Sequence, residues 1–83
     1  MKNISDYKKK QFNKEQLNQI KLGLDKGLDV DMYANIDFNA NQMEEIRIGL
    51  EEGIHVKAYA KIKYNAKEMK EMRMAIEDSR YDK

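Results

Sequence analysis

The chain has 83 residues, of which 41% are hydrophobic and 37% charged, and its 16 basic and 15 acidic side chains leave a net charge of +1. This length allows one small domain, and the composition is too apolar for a typical disordered segment. The balanced charge excludes a strongly acidic nucleic-acid mimic and gives no overall attraction to phosphate. The absence of cysteine excludes disulfides, thiolate metal sites and cysteine nucleophiles.

The sequence shows neither a membrane-spanning segment nor a signal peptide. No apolar run approaches the roughly 20 residues that a membrane-spanning helix needs. Residues 1–10 also lack the apolar stretch of a signal peptide. We therefore expect a protein that begins at Met1, stays in the cytoplasm and does not enter a membrane.

A step of 26 residues relates most of the chain to itself, and such internal periodicity is typical of repeat proteins. The matching sets include Phe12/Phe38/Tyr64, Asn13/Asn39/Asn65, Ile20/Ile46/Met72 and Leu24/Leu50/Ile76. The step also reaches the N-terminus, where Ile4 and Tyr7 correspond to Val30 and Tyr33. The sequence thus predicts a single domain over residues 1–83, made of three units at about 3–28, 29–54 and 55–79.

The first half of each unit fits two kinds of element. In the second and third units, apolar residues alternate as in a strand. In the first unit Asp6, Lys8 and Lys10 interrupt the alternation, and Asn3 and Asp29 are suitable N-caps for helices. We therefore favour short helices, with a strand as the alternative. The predicted short helices are at about 5–8, 30–34 and 56–60.

The second half of each unit has the start and stop signals of a helix. In the first unit Asn13 is a suitable N-cap, and Gln16 lies three residues later, as in a capping box. Phe12 and Leu17 have the spacing of a hydrophobic staple. Gly27 suits the left-handed residue that ends a helix. Similar signals in the other units predict long helices at about 13–26, 39–52 and 65–78.

Each long helix carries apolar residues on two faces. Leu17 and Ile20 belong to the first face, which follows the helical spacing i, i+3, i+7. The second face contains Leu22 and its counterparts Ile48 and Met74. A helix that is apolar on two faces is typically packed between neighbours, so the pattern predicts an all-α domain of stacked helical repeats.

Two glycines and three tyrosines indicate how the elements pack. Gly23 and Gly49 lie inside predicted helices, where glycine costs about 1 kcal/mol relative to alanine. Their recurrence indicates the close approach of another element. Tyr7, Tyr33 and Tyr59 are expected to be half-buried and to hold the short helices against the long ones; as an exposed column they would instead form a binding surface.

Residues that could carry out catalysis are sparse. His55 is the only histidine and is expected to lie in a surface turn. The sequence has no glycine-rich phosphate loop and no nucleophile elbow. The acidic residues of the middle unit, such as Glu44 and Glu45, are typical of a solvated helix face. We therefore predict a protein that is not an enzyme and has no cofactor or metal.

Two basic features are the candidate partner-binding residues. Lys21, Arg47 and Arg73 keep one sign of charge through all three units, so stacking would align them as a positive column. Intrahelical ion pairs are the alternative explanation, because glutamates lie three or four residues from both arginines. The second feature is the run Lys8, Lys9 and Lys10, the densest basic cluster of the chain, whose alternative role is a solvated surface.

The pattern from Phe38 to Ala60 resembles a repeat of uncharacterised proteins from phages, plasmids and conjugative elements of low-GC bacteria. The matching sequence is FNxxQMxEIRxGLExGxxVxxYA, and residues 12–34 match it with variants at Leu17 and Lys21. The chain departs from the pattern at Ile36 and Ile62, where proline is expected. The resemblance implies a helical repeat in a mobile genetic element, in a bacterial host cell, and it implies no catalytic activity.

The function that we expect is a non-enzymatic adaptor that binds another protein through a stacked helical surface. One alternative is a nucleic-acid-associated protein that uses Lys8–Lys10 and the column of Lys21, Arg47 and Arg73. Another, which rests on the resemblance, is a small phage inhibitor of a host defence nuclease, of the anti-CRISPR type. The sequence leaves the oligomeric state open.

Overall fold

The computed structural model describes residues 3–80, and this part of the chain contains helices and no strand. The four α-helices are α1 (Ile4–Lys8), α2 (Lys14–Asp25), α3 (Ala40–Glu51) and α4 (Ala66–Arg80). Single 3₁₀ turns, at Val30–Met32 and Val56–Ala58, precede α3 and α4. The all-α prediction is confirmed, and the strand alternative for the first half of each unit is wrong.

The helix N-termini are fixed by the capping residues that the sequence predicts. The Asn13 side chain accepts a hydrogen bond from the Gln16 N–H, and the Gln16 side chain accepts one from the Asn13 N–H, both at 2.8 Å. The same reciprocal pair starts α3 at Asn39 and precedes α4 at Asn65. Asn3 forms the equivalent capping box with Asp6 at α1. Each box satisfies donors that a helix start leaves without a partner.

Glycine ends the first two long helices. Gly27 and Gly53 have φ angles of 69° and 70°, in the left-handed region that side chains other than glycine rarely adopt. The Leu28 N–H then donates to the Gly23 carbonyl at 2.9 Å, which turns the chain back along α2. Because Ser79 occupies the equivalent place in the third unit, α4 has no such residue and continues to Arg80, beyond its predicted end.

The short helices predicted at 30–34 and 56–60 are wrong in length, because each is only one 3₁₀ turn. Asp29 makes no side-chain cap, in contrast to Asn3, so nothing holds a longer helix start at this point. The turn closes when the Tyr33 N–H donates to the Val30 carbonyl at 2.9 Å. Tyr33 then has a φ of −132°, outside the helical region, and its side chain turns onto α2.

Two tyrosines lie directly against glycines of the preceding long helix. A Cβ atom at Gly23 would lie 2.2 Å from the Tyr33 hydroxyl oxygen, and one at Gly49 would lie 2.1 Å from that of Tyr59. Both tyrosines are fully buried. Their hydroxyls donate to helix carbonyls, Tyr33 to Gln19 at 2.6 Å and Tyr59 to Glu45 at 2.7 Å. The close approach predicted from the two glycines is therefore present, although the tyrosines are more deeply buried than the half-buried state expected.

The core runs through the seams where α2 packs against α3 and α3 packs against α4. Its fully buried side chains are Tyr33, Tyr59, Ile20, Met43, Ile46 and Met69. The described chain is a thin slab of 44 × 26 × 15 Å. Leu22 and Ile48 are only half-buried and Met74 is 48% exposed, so the predicted packing of this second face is wrong.

Two capping glutamines also connect successive long helices. The Gln16 Nε2 donates to the Phe38 carbonyl at 2.6 Å, and the Gln42 Nε2 donates to the Tyr64 carbonyl at 2.6 Å. Both side chains are buried. Glutamine is suited to this position because its oxygen completes one capping box while its nitrogen satisfies a carbonyl just before the next helix. Glu68, the counterpart in α4, is exposed and has no amide nitrogen.

Replacing Gln42 tests this connection. We expect Gln42→Glu to lower the free energy of unfolding by about 1–3 kcal/mol, because the partly buried Tyr64 carbonyl loses its donor and faces a carboxylate. Capping alone predicts the opposite sign, since a carboxylate in the first turn is favourable by a few tenths of a kcal/mol. Glu68→Gln is the matched control and should change stability by less than about 0.5 kcal/mol. Urea denaturation followed by circular dichroism measures both, and equal midpoints for the two variants would contradict the account.

Candidate protein-binding surface

The predicted basic column consists of one exposed lysine and two arginines whose side chains are each 11% exposed. The Lys21 ammonium is exposed and pairs with Asp25 at 3.1 Å, one turn along the same helix. Arg47 is half-buried, and its Nε donates to the Gln19 Oε1 of α2 at 2.9 Å. Arg73 is buried, with 9% of its surface exposed. The three residues therefore do not present one continuous positive surface.

Arg73 is surrounded by carboxylates from two helices. Its Nε lies 3.1 Å from the Glu45 Oε1, and its Nη1 lies 3.2 Å from Glu52 and 2.7 Å from Glu77. Burial opposes the charged form of Arg73, but the hydrogen bonds to Glu77 and Glu45 outweigh it and raise the pKa of the guanidinium. Arg73 thus remains charged and joins α4 to α3.

Arg47 has an equivalent but weaker set of partners. Its Nη1 contacts the Glu51 carboxylate, and its Nη2 lies 4.0 Å from Glu44. Glu51 also accepts from the Lys26 Nζ of α2 at 3.0 Å. Burial raises the pKa of Glu51, but the hydrogen bonds from Lys26 and Arg47 outweigh it, so the pKa is lowered overall.

The structure contains the intrahelical ion pairs that were the alternative explanation for the two arginines. Each arginine also binds a residue of the preceding long helix, which the sequence did not predict. Arg47 and Gln19 are 28 residues apart, as are Arg73 and Glu45. The recurrence of a polar side chain at positions 19 and 45 is the signal that could have identified these contacts.

The run Lys8, Lys9 and Lys10 is exposed, and its members point to different surroundings. Lys8 borders a groove between α1 and α2, whereas the Lys10 ammonium lies 5.7 Å from the centre of the Tyr7 ring. The Tyr7 hydroxyl is directed elsewhere and donates to Asp31 at 2.7 Å.

The groove between α1 and α2 has a volume of about 660 Å³. Ile4 and Leu17, both half-buried, supply its apolar floor. A smaller hollow of about 230 Å³ continues it past Ile4 and Lys21 to Leu24. The polar residues that line the groove itself are Lys8, Lys14, Glu15, Asn18 and Lys21. The groove therefore combines an apolar floor with a mainly basic rim, and only Lys8 and Lys21 of the predicted binding residues border it.

The described residues that could take part in catalysis or bind a metal do not form a cluster. His55 is exposed next to the second 3₁₀ turn, the surface position expected for it. Within residues 3–80, no three acidic or imidazole side chains are arranged to hold a metal ion. In the same part of the chain, no helix has both the length and the apolar character required to cross a bilayer.

Comparisons of the chain with protein-family models, with curated proteins and with solved structures give no match.

Replacing Arg73 or Lys21 by an uncharged residue tests whether the buried arginine contributes more to stability than the exposed lysine. Arg73→Met should lower the free energy of unfolding by about 2 kcal/mol, because three partly buried carboxylates lose their shared counter-charge. Lys21→Met removes the same formal charge from an exposed pair and should cost less than about 0.5 kcal/mol. Thermal and urea denaturation provide the measurement; a loss at Lys21 as large as that at Arg73 would show that burial does not distinguish the two.

Proposed function

We propose that this protein is a non-enzymatic protein-binding module of three stacked helical units, which binds another protein through the groove between α1 and α2. The observation that carries the proposal is the groove itself, whose apolar floor is bordered by Lys8, Lys14 and Lys21. Clusters of apolar area with a polar rim are typical of interaction surfaces.

The stacked arrangement is supported by contacts that recur at a step of 26 residues. The Tyr33–Gly23 contact recurs as Tyr59–Gly49, and the Gln16 bond to Phe38 recurs as that of Gln42 to Tyr64. In such an array each unit fixes its neighbour, so a surface at one end is held rigidly and loses little conformational entropy on binding.

The setting that we propose is the cytoplasm of a bacterial host that carries a mobile genetic element. Its support is the resemblance of residues 38–60 to the repeat pattern of phage, plasmid and conjugative-element proteins. A protein partner is favoured over nucleic acid because two of the three basic column residues, Arg47 and Arg73, are already paired within the chain.

The test is affinity capture from a lysate of a low-GC bacterial host, with mass spectrometry of the captured proteins. The groove variant is Lys14→Glu with Lys21→Glu, and the matched control is Lys57→Glu with Lys61→Glu, which makes the same change in net charge at exposed positions distant in sequence. We expect the wild type and the control to capture the same protein, and the groove variant to lose it by about tenfold or more.

Circular dichroism and a denaturation midpoint for each variant must first show that both remain folded. Equal capture by the two variants would contradict the groove as the binding surface. Loss of the captured protein after nuclease treatment would instead indicate binding through nucleic acid.

A further inference from the structure

The groove occupies a face that is covered in the other two long helices. Leu17 of α2 corresponds to Met43 of α3 and Met69 of α4, and both methionines are fully buried while Leu17 is half-buried. Ile4 likewise corresponds to Val30 and Val56, which are 2% and 3% exposed. The apolar floor of the groove is therefore the same kind of surface that a neighbouring helix covers elsewhere in the chain.

The seam between α3 and α4 shows what kind of helix fits this face. Glu45 of α3 and Glu52, seven residues later at the C-cap of α3, both bind Arg73 on the covered face of α4. Between them lies Gly49, where a Cβ atom would come within 2.6 Å of the Val56 Cγ1. In this seam the covering helix thus presents two carboxylates with a glycine four residues after the first, whereas α2, which covers α3, has Gln19, Gly23 and Lys26 at the equivalent positions.

The groove carries the matching basic charge. Lys21 is the counterpart of Arg73, and its ammonium is exposed beside Ile4 and Leu17. Two more lysines at the rim stand where the other units have alanine: Lys8 corresponds to Ala34 and Ala60, and Lys14 to Ala40 and Ala66. Over its seven lining positions the open face has a net charge of +2, compared with 0 at the equivalent positions around α3 and +3 at those around α4. The open face is therefore basic, like the face of α4 that Glu45 and Glu52 cover, which favours an acidic occupant.

We propose that the groove binds an amphipathic helix of a partner protein that carries two acidic residues seven positions apart, with a glycine four positions after the first. The acidic residues pair with the lysine rim, and the glycine allows the helix backbone to approach Ile4. This inference rests on the proposed function and specifies the chemistry of the partner. In this binding mode one face of the partner helix lies in the apolar groove and makes the contacts.

A second copy of the chain fits this face poorly. Helix α4 does carry Glu71 and Asp78, seven residues apart, but Ala75 stands in the place of the glycine. At the equivalent positions of α2 and α3, a Cβ atom would lie 2.6 Å from the Cγ1 of Val30 or Val56. Ile4 carries the same branched Cβ, so the extra methyl group of Ala75 obstructs the same packing.

The probe for this proposal is a fluorescein-labelled, end-capped peptide of residues 36–54, which contains Glu45, Gly49 and Glu52. Fluorescence anisotropy measures its binding to the intact protein. We expect saturable binding that weakens about tenfold or more when the peptide carries Glu45→Lys with Glu52→Lys. The Lys21→Glu protein should bind the reversed peptide more tightly than the wild-type protein does. A Gly49→Ala peptide is more helical and should nevertheless bind less tightly.

Equal binding of the wild-type, charge-reversed and Gly49→Ala peptides, or no binding at all, would overturn the proposal. A dimer of the protein alone in sedimentation equilibrium, abolished by Lys21→Glu, would make a second copy the occupant and would also overturn it. If the peptide does not bind but capture from the lysate is still lost in the Lys14→Glu, Lys21→Glu variant, only the proposed helix pattern is refuted. If the groove variant captures the protein as well as the wild type does, the proposed function is refuted.

Discussion

The contact on which the described structure depends is the insertion of a tyrosine against a glycine of the preceding long helix. Tyr33 reaches Gly23 and Tyr59 reaches Gly49, and in each case the ring is fully buried while its hydroxyl binds a helix carbonyl. A side chain on either glycine would occupy the space of the tyrosine. Burial raises the pKa of both hydroxyls above the ordinary value, and both donate as neutral groups.

Polar contacts extend the same seam on both sides of the tyrosine. Near the start of the helices, Gln42 donates to the carbonyl of Tyr64. Farther along, Arg73 forms ion pairs with Glu45, Glu52 and Glu77. Burying a polar group is costly unless it is paired, so these bonds favour one register between neighbouring helices. The end of the slab beyond α2 has no such seam among the described residues, and there the apolar floor and the lysine rim of the groove remain accessible.

Local signals in the sequence predict the elements well, because capping is a short-range interaction. Asn13, Gln16 and Gly27 together specify both ends of α2, and the structure has them in those roles. Contacts between units were harder to predict, since they depend on which helix faces meet. Leu22 suggested a second face packed between neighbours, but Leu22 is only half-buried and its counterpart Met74 is exposed. The part of the chain around Val30 forms a shorter turn than expected. The groove is open because no helix within residues 3–80 covers Ile4 and Leu17, and the repeating pattern alone does not indicate which helix faces stay uncovered.

The most direct test of the tyrosine–glycine contact is the sign of the stability change in Gly49→Ala. An alanine inside an exposed helix stabilises it by up to about 1 kcal/mol relative to glycine. The contact predicts the reverse, a loss of about 1–3 kcal/mol from overpacking against Tyr59 and Val56, with part of the loss recovered when Tyr59→Phe removes the hydroxyl. Urea denaturation of the single and double variants provides the values. A Gly49→Ala protein that is more stable than the wild type would contradict the account.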